Sequence, residues 1–245
     1  MRGRKSASAA GIARNIRLTL ARCGSREHAR GVQWFFKEEV RSHGWRTADL
    51  RRLARKTSRE IQATDGLETL LDVADRLFAG EVLEEKVFAV LLLEKPVAKF
   101  GDREFRRFES WLDRVTSWAD HDALVHYLIG PLVAAEPRRT ARAFRWTKSR
   151  NRWRRRAAAV SLICGARQRL FFDEIVRVSD ALLHDQDDMV QKGLGWLLRE
   201  AAKADRKRTV PYLLRIRDRA PRLVLRTACE TLPPATRARV LSRKG

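Results

Sequence analysis

Apolar residues recur along this chain at helical spacing rather than strand spacing. Trp153, Ala157, Val160 and Cys164 fall at i, i+4, i+7 and i+11, which at about 100° per residue places them along one side of a helix. Val190, Leu194, Leu197 and Ala201 draw a second such stripe. Runs of β-branched residues are few, and Leu, Ala, Arg and Glu dominate, a composition that favours helix throughout. Turn formers interrupt the pattern at short intervals: Gly31, Gly44, Gly66, Gly80, Pro96 with Gly101, Pro137, Gly165, Asp185, Asp205, Pro221 and Pro233-Pro234. The stretches between them predict about a dozen or more helices of ordinary globular length and no strand. The first is expected over 12–22, and Thr47 and Thr64-Asp65 are expected to cap two others.

Such helices, joined by short turns, pair with a period of about 35 to 40 residues, close to HEAT-type repeats. The expected fold class is therefore all-α, a HEAT-like helical-repeat solenoid, an α-α superhelix with a concave basic face. Residues 1–25 are read as a basic tail and the start of the first helix, and 26–245 as a single domain of repeats.

Charge narrows the choice of partner. The chain carries 52 Lys and Arg against 30 Asp and Glu, a formal net charge of +22 over 245 residues. An excess of that size speaks of partners and solubility, and nucleic acid is the commonest polyanion. With 44% hydrophobic residues the chain still builds a core. Cys23, Cys164 and Cys229 lie far apart, without CxxC or Cys/His spacing. Neither zinc nor a disulfide framework is expected, which fits a reducing, cytoplasmic setting, nucleoid-associated in a bacterium. The longest apolar run, Val87 to Leu93, is too short to span a membrane. The acid-free stretch up to Arg26 superficially resembles a transit peptide but is read as a basic tail. No P-loop, GxSxG, HExxH or GxGxxG occurs, and the five histidines form no metal spacing.

From Arg138 to Arg169 there are twelve Lys and Arg and no acid. The densest part, Arg145 to Arg156, includes Lys148, Arg152, Arg154, Arg155 and Arg156. Charge runs are usually solvated faces, but this one lacks the alternating signs of a surface ion-pair face. Arginine forks match phosphate oxygens with two hydrogen bonds, so the block is a candidate phosphate contact. Ser149 or Asn151 is expected to cap the helix that follows. On the later stripe, Trp196 lies well over 90° from the apolar centre, next to Gly193 and Gly195, which leave room for a close approach. Packing between repeats and a ligand contact are equally open there.

Ser117-Trp118-Ala119-Asp120-His121-Asp122 starts a helix with Ser117 as N-cap, and Trp118 and Asp122 then share one face. Acids collect at helix starts in any case. The sharper possibility is an indole face for a cation with a carboxylate beside it.

At this point the chain resembles the AlkD-like alkylation-repair DNA glycosylases. The resemblance is carried by Trp118 with Asp122, by Trp153 before Arg156-Ala157-Ala158, and by Lys192, Gly195, Trp196, Leu198, Arg199 and Glu200. Leu225 to Glu230 resembles the closing repeat, and Phe35-Phe36-Lys37 the family's aromatic-Lys entry. The resemblance implies that Asp122 is the catalytic carboxylate, that Trp118 and Trp196 flank the lesion nucleotide, and that Arg156 contacts the backbone near it. Arg152, Arg154, Arg155, Lys148, Lys192, Arg199, Phe35 and Lys37 are the further expected DNA contacts. Ser117 stands where the family often has a second aromatic, and Phe35 where some members have Tyr. The implied activity is excision of cationic N-alkylated purines, of the 3-methyladenine and 7-methylguanine type, from duplex DNA by a monomer without metal or cofactor. The alternative is a non-catalytic helical-repeat protein that binds bent or branched DNA; a protein-interaction scaffold is a third.

Overall fold

The computed structural model describes residues 8–242. The extreme N-terminal basic residues and the basic C-terminal end fall largely outside that range. The described chain is all helix and connection, with no strand, as expected of the all-α class. It divides into two compact units, Met1–Leu128 and Ile129–Gly245.

The first unit holds α1 (Ala9–Cys23), α2 (Arg26–Gln33), α3 (Thr47–Thr64), α4 (Gly66–Phe78), α5 (Leu83–Leu93), α6 (Asp102–Trp111) and α7 (Trp118–Leu124). A π turn over Val125–Ile129 follows α7. The apolar run noted in the sequence becomes α5, which packs on α3, α4 and α7 and buries Phe88 through Leu93. Its first turn is buried too, although it carries Glu84, Glu85 and Lys86. Glu84 accepts hydrogen bonds from Ser42 Oγ at 2.6 Å and from the amides of His43 at 2.8 Å and Gly44 at 2.9 Å. A buried carboxylate with several donors is the form in which such a charge is tolerated, and it fastens the long connection between α2 and α3. The first helix is longer than expected. It packs on α4 through Ala13, Ile16 and Leu20, and Arg17 pairs with Glu85 at 3.0 Å. Helices α3 and α4 begin where expected, but with no side-chain cap bond at either start.

The second unit holds α8 (Gly130–Ala135), α9 (Thr140–Trp146), α10 (Arg152–Val160), α11 (Ile163–Arg167), α12 (Phe172–Leu182), α13 (Asp188–Ala204), α14 (Arg206–Ile216), α15 (Arg222–Ala228) and α16 (Pro234–Leu241). Its axis is α13, which packs on α10, α11, α12, α14 and α15. The stripe Val190, Leu194, Leu197 and Ala201 is buried as expected. The other stripe is cut short. A break at Ser161-Leu162 ends α10, so Cys164 belongs to α11 and is half-buried, out of phase with Trp153. Asn151 caps α10, its side chain accepting from Trp153 N at 2.9 Å.

The two glycines of α13 are contact points between helices. A Cβ on Gly195 would lie 2.6 Å from Thr227 Cβ and 3.0 Å from Val224 O on α15, and one on Gly193 would lie 3.0 Å from Arg156 Cγ. Alanine is the better helix former by about 1 kcal/mol, yet a β-branched stem and a backbone carbonyl cannot rotate away from the added methyl. Overpacking of this kind costs about 1–3 kcal/mol, so Gly195→Ala is expected to lower stability in urea titration. An increase would show that α15 yields freely.

Glu200, buried on the same helix, accepts from Arg167 Nε at 2.9 Å and Lys203 Nζ at 2.9 Å. Burial alone would raise its pKa, but these cations outweigh burial and the net shift is downward. A carboxyl whose folded pKa lies below its unfolded value stabilises the fold above the unfolded pKa and loses that contribution as pH falls through the folded one. The Tm advantage of the wild type over Glu200→Gln should therefore be full at neutral pH and close in acid, below about pH 4.5. A constant gap across that range would overturn the assignment.

Among the described residues, no helix is long and apolar enough to cross a membrane.

Candidate functional site

The start of α7 is built to be rigid. Ser117 adopts an extended backbone and forms a capping box with Asp120, whose carboxylate accepts from Ser117 N at 2.7 Å and Thr116 N at 3.0 Å. Beneath it, the Lys86 ammonium lies 3.7 Å from Asp120 Oδ2 and donates to the carbonyl of Arg114. Burial pushes the Lys86 ammonium below its usual range, and the charge and hydrogen bond of Asp120 pull it partly back. Asp120 thus fills the structural role that acids at helix starts ordinarily fill.

Asp122 does something else. It sits one turn beyond Trp118 at the margin of the unit, with its side chain 21% exposed. His121, wholly buried, places Nδ1 2.7 Å from Asp122 Oδ1. Trp118 is half-buried and stacks on Phe36, with centroids 5.0 Å apart and planes 18° from parallel. In this unit the structure places a stacked indole and second aromatic ring at the start of the helix that carries a carboxylate in contact with a buried imidazole. Sequence reasoning gave His121 no role, and it named Phe36 only as part of the segment Phe35-Phe36-Lys37. Within that segment it singled out Phe35 and Lys37 as DNA contacts; the ring that stacks on Trp118 is Phe36. Trp34 and Phe35 are 90% and 75% exposed, on the connection that leaves α2, and Lys37 is exposed beside them.

In the second unit the basic block is partly committed to the fold. The Arg155 guanidinium meets Asp185 at 2.6 Å and 3.3 Å and donates to the carbonyls of Ser149 and Arg150. Arg156 is 5% exposed, lies against Gly193 and donates to the carbonyl of Met189. Arg152 lies 4.6 Å over the Trp153 ring and 3.6 Å from Asp187. Lys148 is exposed and Arg154 half-buried. On α13, Trp196 is half-buried, Lys192 sits 3.9 Å from Asp188, and Arg199 pairs with Glu230 and Glu200.

The described residues are all helix and connection, the chain is strongly basic, and a half-buried indole and a carboxylate share one helix start. A family model for DNA alkylation repair enzymes matches residues 16–232. The chain belongs to that family. A solved structure described as a predicted DNA alkylation repair enzyme from Enterococcus faecalis has the same fold, with a TM-score of 0.77 at 18% identity. The match covers 86% of this chain and 97% of that one. No curated protein is a significant match.

Proposed function

We propose that the protein is a DNA glycosylase that excises cationic N-alkylated purines from duplex DNA, acting as a monomer in the compartment that holds the DNA, with Asp122 as its catalytic carboxylate. The observation that carries this is the placement of Asp122: partly exposed, a turn from a stacked indole, and 2.7 Å from a buried imidazole nitrogen. Family membership supplies the setting of alkylation repair.

The chemistry suits so spare a kit. A purine methylated at N3 or N7 already carries a positive charge. When its N-glycosidic bond breaks, the electron pair moves onto the base and neutralises it, so no general acid is needed. The sugar becomes oxocarbenium-like, as in glycoside hydrolysis. A carboxylate aimed at that developing cation stabilises it and orients the water that attacks C1′, whose proton passes to solvent. The face of Trp118 adds about 0.5–2 kcal/mol of cation–π attraction to a charged base or sugar. Neither a metal nor an organic cofactor has a step to perform.

In the second unit, Trp196 is assigned to the flank of the lesion nucleotide and Arg154, Arg152, Lys148, Lys192 and Arg199 to DNA contact, as are Phe35 and Lys37 in the first; Arg156, 5% exposed and donating to the Met189 carbonyl, reaches a phosphate only if its side chain turns out of that contact. Arg155 contributes chiefly by holding the turn before α10 in place. The test is release of free 7-methylguanine from a methylated duplex by the purified protein. Tight duplex binding with no release would instead support the non-catalytic DNA-binding alternative.

A further inference from the structure

Resting on that assignment of Asp122, we infer that His121 is a positioning residue, whose Nδ1–H holds the Asp122 carboxylate in the orientation the reaction uses. His121 Nδ1 lies 2.7 Å from Asp122 Oδ1, and the histidine side chain is 0% exposed against 21% for the aspartate. An ionised carboxylate only accepts, so the hydrogen of this bond belongs to the imidazole and Nδ1 is the protonated ring nitrogen.

Three features make the contact more than an accident of sequence. First, neighbouring residues on a helix project about 100° apart and do not ordinarily face each other. The bond therefore requires the carboxylate to turn toward the ring. Second, the ring is packed on every side. Its side chain is wholly buried, whereas that of the aspartate is partly exposed, so the donor is the more confined of the two partners. Third, the helix that carries both is locked at its start by Ser117, Asp120 and Lys86. The arrangement is a capped helix start, a buried donor and a carboxylate oxygen within hydrogen-bond distance of it.

A donor also draws some negative charge from the carboxylate, which opposes stabilisation of a cation. It does not cancel that charge. Orientation is worth more, because a displacement of about 1 Å at a reacting group can cost roughly 100-fold in rate, and prealigned charge acts without reorganising during the reaction.

Two substitutions separate donation from bulk. The amide nitrogen of Asn stands where Nδ1 stands, and that of Gln lies one bond further along, where Nε2 stands. His121→Gln is expected to slow single-turnover release of 7-methylguanine by about 100-fold with duplex affinity unchanged. His121→Asn is expected to keep most of the rate. Equal rates for the two variants, or wild-type rates for both, would overturn the inference. So would nitrogen NMR of the wild type showing the proton of His121 on Nε2 alone, a result independent of how the variants fold. Asp122→Asn, assayed alongside, separates two failures. If it remains active, the assignment of Asp122 fails. If it is dead while His121→Gln is normal, the assignment stands and His121 has no positioning role.

Discussion

Asp122→Asn is expected to bind methylated duplex DNA with nearly wild-type affinity and to release 7-methylguanine slower by on the order of 10²- to 10³-fold, the scale of losing one prealigned electrostatic group. The substitution preserves shape and leaves a carbonyl oxygen that can still accept from His121 Nδ1. What disappears is the negative charge. An uncharged amide stabilises neither an oxocarbenium-like sugar nor the partial positive charge on an attacking water. Binding should survive because affinity for the duplex comes mainly from phosphate contacts and counterion release, and the chain carries an excess of 22 positive charges to provide it. Removing one negative charge would, if anything, tighten ground-state binding. The measurement is single-turnover base release together with a direct binding titration at fixed salt. Parallel loss of binding and release would mean that the side chain supports the local fold, and unchanged release would remove Asp122 from the chemistry.

The parts of this architecture that follow a period were legible in the sequence. The stripe of α13 and the run that becomes α5 repeat at helical spacing, and their burial follows from that alone. Ser117 as a cap was legible because capping is local chemistry. Three kinds of information were not. Contacts between distant positions leave no periodic trace, so nothing in residues 84–86 announces that Lys86 will meet Asp120 under another helix. Side-chain direction between immediate neighbours is set by rotamer and packing, so His121 and Asp122 look unrelated until the 2.7 Å bond is seen. Connections without a period hide which of two adjacent rings turns inward, so Phe35 was singled out although Phe36 is the ring that stacks on Trp118. The basic block shows the same limit for charge. Counting identifies an attractive surface, but it does not distinguish Arg155, held by Asp185 and two backbone carbonyls, from exposed Lys148.

Lys86→Met is expected to cost about 3–5 kcal/mol of stability, the penalty for leaving a buried charge without its partner. The ammonium and the Asp120 carboxylate are 1% and 0% exposed and lie 3.7 Å apart. Methionine matches the length of the lysine stem, so little cavity is created, and the loss isolates the charge rather than the packing. Replacing a whole buried ion pair with uncharged groups is often nearly neutral, because the desolvation of both partners disappears with their attraction. The Lys86→Met, Asp120→Asn double variant should therefore be more stable than Lys86→Met alone: it removes the stranded charge while the amide oxygen still accepts from Ser117 N. That sign of coupling, measured by a double-mutant cycle in urea, is specific to an ion pair and would not appear if Lys86 acted only through its stem. A single variant within about 1 kcal/mol of the wild type would sink the claim. Because Asp120 anchors the turn that carries Trp118 and Asp122, folded Lys86→Met should also release 7-methylguanine more slowly than its stability explains. The double variant should recover stability before it recovers rate, since an amide holds the capping box less firmly than the carboxylate and leaves Asp122 less well aimed.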